Sequence, residues 1–175
     1  MDAHELLELA LVNYLAGLND GQVPPKTLWP PALVLPDGNT ERIFAGQSDQ
    51  DKDGMTLACI ADESQIEDPY ASGNFWIPVT VSLRTSCQVN APDETDVIED
   101  GDPDTDLKAH KAAQSVLMDA TLRDEGELAQ LLTAAVPGAF TCFGIKEFNE
   151  VRLDGDGDCW ESGVKFMALC CARKC

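Results

Sequence analysis

Residues 49–54, Asp-Gln-Asp-Lys-Asp-Gly, place three carboxylates at alternate positions ahead of a glycine. This is the first half of an EF-hand loop, where carboxylates converge on calcium and the glycine makes the sharp turn. The position that needs a bidentate glutamate is Ile60, and the residues after the loop are typical of a strand. We therefore predict a polar loop and no metal, with a calcium site at Asp49, Asp51 and Asp53 as the alternative.

A second acidic triplet, Asp154, Asp156 and Asp158, fits calcium less well. Cys159 occupies the position of the glycine, and Lys165 that of the closing glutamate. Alternating Asp and Gly residues between two apolar stretches are typical of a hairpin turn. We interpret this triplet as a hairpin tip.

Catalysis would need a nucleophile beside a base, and the chain offers no such motif. Its two histidines, His4 and His110, fall on different predicted helices. No serine or cysteine lies in a G-x-S-x-G sequence, and no glycine-rich phosphate loop is present. His110 is interpreted as a solvated or helix-packing residue. The sequence therefore predicts a protein that is not an enzyme and needs no cofactor.

Three tryptophans, Trp29, Trp76 and Trp160, could serve either an interface or the core, since tryptophan buries a large area in both settings. Trp76 falls on the polar side of a long alternating strand, which also carries Arg84. We predict Trp76 and Arg84 as interface residues.

The elements that must position these residues follow from hydrophobic periodicity. Period 3.6 predicts helices over 3–18, 107–122 and 125–135, the second capped by Asp104 or Asp106. Residues 41–44 could pair back on 32–35 as a small hairpin. The clearest strand alternates over 75–87, where Pro78 cannot donate to a ladder and should lie near an edge or the strand start. Further strands are predicted over 55–61, 139–153 and 160–172.

These elements predict one α+β domain spanning 1–175. Its sheet should be antiparallel or mixed, with about four to six strands and helices packed on one face. Residues 90–106 form an acidic loop within that domain. It contains eight acids and no base, so it should repel itself and pack poorly.

The amino-acid composition and the net charge restrict the possible classes of function further. The formal net charge is −19, from 31 acidic and 12 basic residues, which opposes nucleic-acid binding through phosphate contacts. An acidic wall would nevertheless suit a channel through which DNA slides without sticking; simple solubility is the other interpretation. Seven cysteines in a chain with an acidic start indicate reduced thiols and synthesis in a cytoplasm. No apolar run is long enough to span a membrane.

Together with the N-terminal helix and the extended, proline-rich stretch at 22–31, three segments resemble the tail-terminator family of tailed phages in order and spacing. They are FWIPVTVSLRT at 75–85, HKAAQSVLMDATL at 110–122 and GVKFMALCCAR at 163–173. The acidic loop and the proline-rich stretch are longer and more extreme than the family pattern requires. The resemblance covers most of the chain and rests on no signature motif.

The resemblance implies a structural virion protein whose sheet is flanked by helices. Six copies would form a ring at the head-proximal end of the tail, end polymerisation of the tube and join the tail to the head. The implied partners are further copies of the chain, the tail tube protein and a head-completion or neck protein. DNA would pass through without specific binding. Another neck or connector protein, or a calcium-dependent binding module, is the alternative.

Overall fold

The computed structural model describes residues 3–33, 42–46, 54–62, 65–66, 74–86, 103–122, 130, 134, 143–153 and 159–171. The predicted helix at 125–135 therefore lies outside the described residues except for Gln130 and Ala134, which are both helical. No helix in these ranges is long and apolar enough to cross a membrane.

Six strands form one mixed sheet. They are β1 (Ile43–Ala45), β2 (Met55–Ala61), β3 (Gln65–Ile66), β4 (Asn74–Ser86), β5 (Phe143–Leu153) and β6 (Cys159–Cys171). The sheet runs in the order β1-β2-β4-β6-β5, and β3 continues alongside β4 beyond the end of β2. Every described pairing is antiparallel except that of β1 with β2. The predicted α+β class and strand number are confirmed.

The parallel pairing of β1 corrects the hairpin suggested for residues 41–44. Ile43 pairs with Leu57 and Ala45 with Cys59, whereas Ala32 and Leu33 lie in a turn. Ile43 is buried in the same core as Leu57. Burial of the apolar side chain against β2 thus decides the partner of this short strand.

Helix α1 (Ala3–Ala16) presents a stripe of leucines to the sheet. Leu7, Leu11 and Leu15 are spaced four residues apart, which places them on one side of a helix, and all three are fully buried. The helix ends two residues before the predicted stop, because Gly17 follows Ala16 and glycine disfavours helix continuation. The proline-rich stretch then turns back toward the helix.

Helix α2 (Pro103–Leu122) begins four residues earlier than predicted. Proline is well suited to a first helical position, since its missing N–H would have no partner there. Asp104 and Asp106 consequently lie inside the first turn and do not cap it, and negative charge is favourable at that end of the helix dipole. The acidic composition that predicted a loop here is compatible with a helix start.

Both helices bury the same face of the sheet. On β4, Ile77, Val79, Val81 and Leu83 are each 0% exposed, whereas the intervening Thr80, Ser82 and Arg84 are half-buried. The register aligns this row with buried residues of β2 and β6. A single core joins the row to the helices; its helical members include Leu7, Leu11, Leu15, Ala113 and Leu117. The alternation predicted for the long strand is confirmed from Val79 to Thr85, whereas Pro78 departs from it because it is buried as well.

Pro78 does not lie at an edge, contrary to the prediction. It is the fifth residue of β4, which is flanked by β2 and β6. Its carbonyl accepts a hydrogen bond from the N–H of Asp62 at 2.8 Å, where β2 has ended and β3 has not begun. In an antiparallel ladder the N–H and C=O of a residue face the same neighbour. Pro78 therefore lacks its N–H donor at the position between β2 and β3, where the ladder on that side of β4 is interrupted.

Candidate functional site

The metal candidates predicted from sequence lie outside the described residues. Asp49, Asp51 and Asp53 belong to that part of the chain, as does the triplet at 154–158. Residues 90–102 of the acidic loop do so too. Within the described ranges, no group of three histidine, cysteine or acidic residues is arranged to hold a metal ion.

The two predicted interface residues lie on one strand but far apart. Trp76 pairs through its backbone with Gln65 of β3 and Leu169 of β6, near the start of β4. Arg84 lies eight residues further along, about 26 Å away at the usual rise of a strand. They therefore do not form one compact patch.

Arg84 joins a cross-strand ion pair, and its predicted role at an interface stays a prediction. It is directly opposite Glu161 of β6, and its Nε lies 3.2 Å from Glu161 Oε1. The side chains are 23% and 30% exposed, so solvent screens the attraction and limits its contribution to about 0–1 kcal/mol. The pair helps to fix the register of β4 and β6 on the face away from the helices.

The most unusual polar arrangement in the described structure surrounds His110, which is 0% exposed. Its Nδ1 lies 2.8 Å from the hydroxyl of Thr85 on β4, and its Nε2 lies 2.8 Å from the hydroxyl of Ser162 on β6. Thr85 and Ser162 are themselves 4% and 5% exposed. The three side chains connect α2 to the two central strands.

This His110 network is satisfied by a neutral imidazole. One ring nitrogen of a neutral histidine carries a proton and the other accepts, and a hydroxyl can do either. One hydroxyl therefore donates to the ring while the other accepts from it. Burial lowers the pKa of His110 from 6.5 to about 4, because the charged ring would lose its hydration.

A serine hydrogen-bonded to a histidine invites comparison with a hydrolase site, but the environment argues against it. Ser162 and His110 are covered by the fold, so a substrate carbonyl could not approach the hydroxyl. The third member, Thr85, is neutral, whereas a triad uses a carboxylate to stabilise the imidazolium that forms. Cys59 is no better as a nucleophile. Its pKa is raised to about 12 by burial and, secondarily, by the charge of Glu8.

The His110 network was missed at the sequence level, where His110 was interpreted as a solvated or helix-packing residue. A signal was present: His110, Ala113 and Leu117 recur at intervals of three and four, which places all three on the buried side of α2. A histidine on such a stripe must find hydrogen-bond partners in the core. Which partners it finds depends on strand register, which this spacing does not specify.

The described surface carries one further distinctive segment, residues 19–28, which we name the arm. All ten of its residues are exposed. At its base Asn19 pairs with Thr27, the N–H of Asp20 donates to Lys26 O at 3.0 Å, and the N–H of Leu28 donates to Leu18 O at 3.2 Å. The chain thus leaves α1, turns at the arm and returns beside the same point.

Side chains hold the arm in this shape. Asp20 Oδ1 accepts the backbone N–H groups of Lys26 and Gln22, and these bonds lower the pKa of the Asp20 carboxyl. Gly21, at φ 68°, donates its N–H to the side chain of Asn19. Trp29 follows the arm, is 3% exposed and donates Nε1–H to Leu15 O at 2.7 Å. Trp29 therefore belongs to the core, which fastens the arm to α1.

Comparison of the chain with protein-family models and with curated proteins finds no match. The resemblance to tail terminators therefore stays a prediction from the order and spacing of the sequence segments.

Proposed function

We propose that this chain is a structural subunit of a phage tail, a tail terminator that assembles with copies of itself into a ring. Six copies would close the ring at the head-proximal end of the tail, end tube polymerisation and leave a passage for DNA. The tube protein and a head-completion protein would meet its two ends.

One observation carries the proposal: the three segments that resemble the family lie together in space. The segment at 75–85 belongs to β4, which pairs with β6 along its whole length, from Asn74 opposite Cys171 to Ser86 opposite Cys159. The segment at 163–173 provides most of β6. The segment at 110–122 forms the body of α2, which packs on these two strands. The three segments that carry the resemblance thus belong to two central strands of the sheet and to the helix that packs on them.

The interior chemistry supports a role in assembly. Three of the five buried polar side chains in the described core form one network, in which His110 is hydrogen-bonded to Thr85 and to Ser162 beneath the surface. A closed network of this kind stabilises a helix on a sheet and presents no group to a substrate. The work of such a domain is then done by its outer surface.

Charge supports the DNA passage. With a net charge of −19, each copy repels phosphates, and a ring of copies would present a repulsive wall to a duplex within its lumen. Repulsion removes local minima in which DNA would pause. The same charge makes copies repel each other, so assembly should strengthen as salt rises and screens the repulsion.

Size-exclusion chromatography with light scattering, followed by electron microscopy, tests the proposal on the full chain. We expect particles containing about six copies of the 18.9-kDa chain, seen as rings, with the assembled fraction rising between low and moderate salt. A strict monomer at high protein concentration in both salts would contradict it.

A second measurement distinguishes a calcium-dependent binding module from the proposed ring subunit. Calorimetric titration of the same preparation with calcium should give no binding heat. Thermal unfolding with and without calcium should give the same melting temperature. Binding that saturates at one site would favour a calcium-dependent module instead.

A further inference from the structure

We propose that His110 is a proton-sensitive switch that controls the docking of α2 on the sheet. The neutral imidazole holds α2 on β4 and β6, and protonation of the imidazole releases this helix while α1 and the strands stay folded. This inference concerns the single chain and does not rest on the proposed ring of subunits.

The two helices are held on the sheet by different means. Helix α1 is held by aliphatic packing, because its leucines at positions 7, 11 and 15 are all fully buried in the core. The buried side chains described on α2 are smaller or more polar; they are His110, Ala113, Leu117, Ala120 and Thr121. Alanine buries little apolar area, so α2 depends more than α1 on its polar contacts.

His110 supplies polar contacts that join α2 to the sheet. Its Nδ1 lies 2.8 Å from the hydroxyl of Thr85 on β4, and its Nε2 lies 2.8 Å from the hydroxyl of Ser162 on β6. Near the other end of α2, the hydroxyl of Tyr14 donates to Ala120 O at 3.2 Å, which ties α2 to α1 and not to a strand. The attachment of α2 to the sheet therefore depends on the imidazole.

A protonated His110 would be buried without a counter-charge on the sheet. Its partners are two neutral hydroxyls, and the side chain is 0% exposed. Arg84 and Glu161 are the strand neighbours of those partners, but their side chains pair on the opposite face of the sheet. β2 carries no charged residue between Met55 and Ala61, and burial raises the pKa of its Cys59 thiol to about 12, so the thiol is neutral. Burying an unpaired charge is costly, so protonation opposes docking.

The charged residues nearest to His110 along α2 are Asp106, Lys108 and Lys111. The two lysines are exposed and have the same sign as a protonated imidazole, and Asp106 lies one turn earlier, at the start of the helix. On α1, the carboxylate of Glu8 accepts a backbone N–H at the far end of β2. Loss of hydration lowers the pKa of His110 from 6.5 to about 4 in the presence of these charges.

The two pKa values of the imidazole set the size of the effect. An undocked α2 exposes His110 to water, which restores the ordinary value, so protons bind the undocked form more tightly. The preference for the docked form is fully present above pH 6.5 and is lost as pH falls toward 4. Between pH 7.5 and pH 5 the ratio of undocked to docked α2 should therefore rise about 30-fold.

Hydrogen exchange followed by mass spectrometry tests the switch on the full chain at pH 7.5 and pH 5. Protection factors, which correct for the intrinsic effect of pH on exchange, are compared between peptides. Protection of α2 should fall about 30-fold at pH 5, because a helix without its packing partner is only marginally stable and exchanges. Protection of α1 and β2 should not fall with it.

Two variants of α2 provide the matched controls. His110→Gln removes the titration and keeps a side chain that can donate and accept hydrogen bonds, so protection of its α2 should be the same at both pH values. Lys111→Gln, at the exposed next position, should respond to pH like the wild type. If His110→Gln fails to fold, the comparison of α2 with α1 in the wild type still decides.

Three results would overturn the switch. They are an equal loss of protection in α1, α2 and the strands, which means global unfolding; an unchanged α2 in the wild type; and a loss in His110→Gln as large as in the wild type. Light scattering of the same samples records the copy number, so protection is compared at equal assembly. A chain that forms rings without the pH response loses the switch alone, and a monomer that shows the response loses the ring alone.

Discussion

His110 and Val23 each occupy the environment that their chemistry ordinarily opposes. His110 is polar and 0% exposed, whereas Val23 is apolar and 97% exposed. The histidine has partners for both ring nitrogens within the chain, so its position is explained by the fold. The valine contributes almost no burial to the folded monomer. His110 thus stabilises the fold, whereas Val23 contributes little to it, and substitutions at the two positions can measure the difference.

His110→Ala should give the largest effect. It removes two buried hydrogen bonds, leaves the hydroxyls of Thr85 and Ser162 without their partner and opens a cavity under α2. We expect the free energy of unfolding to fall by about 4 kcal/mol. Urea denaturation followed by circular dichroism measures it. Lys111→Ala, at the exposed next residue of the same helix, is the control and should change stability by less than about 0.5 kcal/mol. A loss below 1 kcal/mol for His110→Ala would contradict the structural role.

Lowering the pH should reduce the free energy of unfolding by nearly as much as His110→Ala does. The pKa of His110 is lowered from 6.5 to about 4 in the folded chain, so between these values the unfolded chain takes up a proton that the folded chain refuses. The contribution is fully present above pH 6.5 and is lost as pH falls toward 4. The shift amounts to about 3 kcal/mol. Carboxylates titrate in the same region, so the measured quantity is the difference between wild type and His110→Gln across this range. A difference that stays constant with pH would show that His110 titrates normally.

Trp29→Phe should have an intermediate effect on the free energy of unfolding, because Trp29 anchors the arm to α1. The change removes the bond from Nε1 to Leu15 O and leaves a small void, at a cost of about 2 kcal/mol. Trp160→Phe is the matched control. Its Nε1 is buried but has no hydrogen-bond partner within the described chain, so the same change there loses volume without losing a bond. Hydrogen exchange should also quicken at the N–H groups of Asp20 and Leu28 in Trp29→Phe alone. Equal costs at both tryptophans would contradict the anchoring role.

Periodicity predicted most of the fold because the apolar faces of the main elements are regular. Strand 55–61 has the predicted bounds, and β4 differs by one residue at each end. The start of α2 was placed too late because its first turn is acidic. Pro78 was misplaced because the gap between β2 and β3 arises from chain path, which a local pattern does not contain.

The His110 network lies beyond sequence reasoning for a related reason. Thr85, His110 and Ser162 are 25 and 52 residues apart along the chain, and they meet only when α2 crosses the paired strands β4 and β6. The arm was recognisable as an extended proline-rich stretch. Its exposed tip and closed base, however, depend on Trp29 entering the core. The local sequence pattern therefore predicted the helices and strands, whereas the His110 network and the shape of the arm depend on how those elements pack.

Val23→Ser should give the smallest effect on the monomer. At a protein concentration low enough to prevent assembly, the urea midpoint should match the wild type to within about 0.5 kcal/mol, because a side chain that is 97% exposed loses no packing. A cost above 1.5 kcal/mol would mean that Val23 is buried in the folded chain.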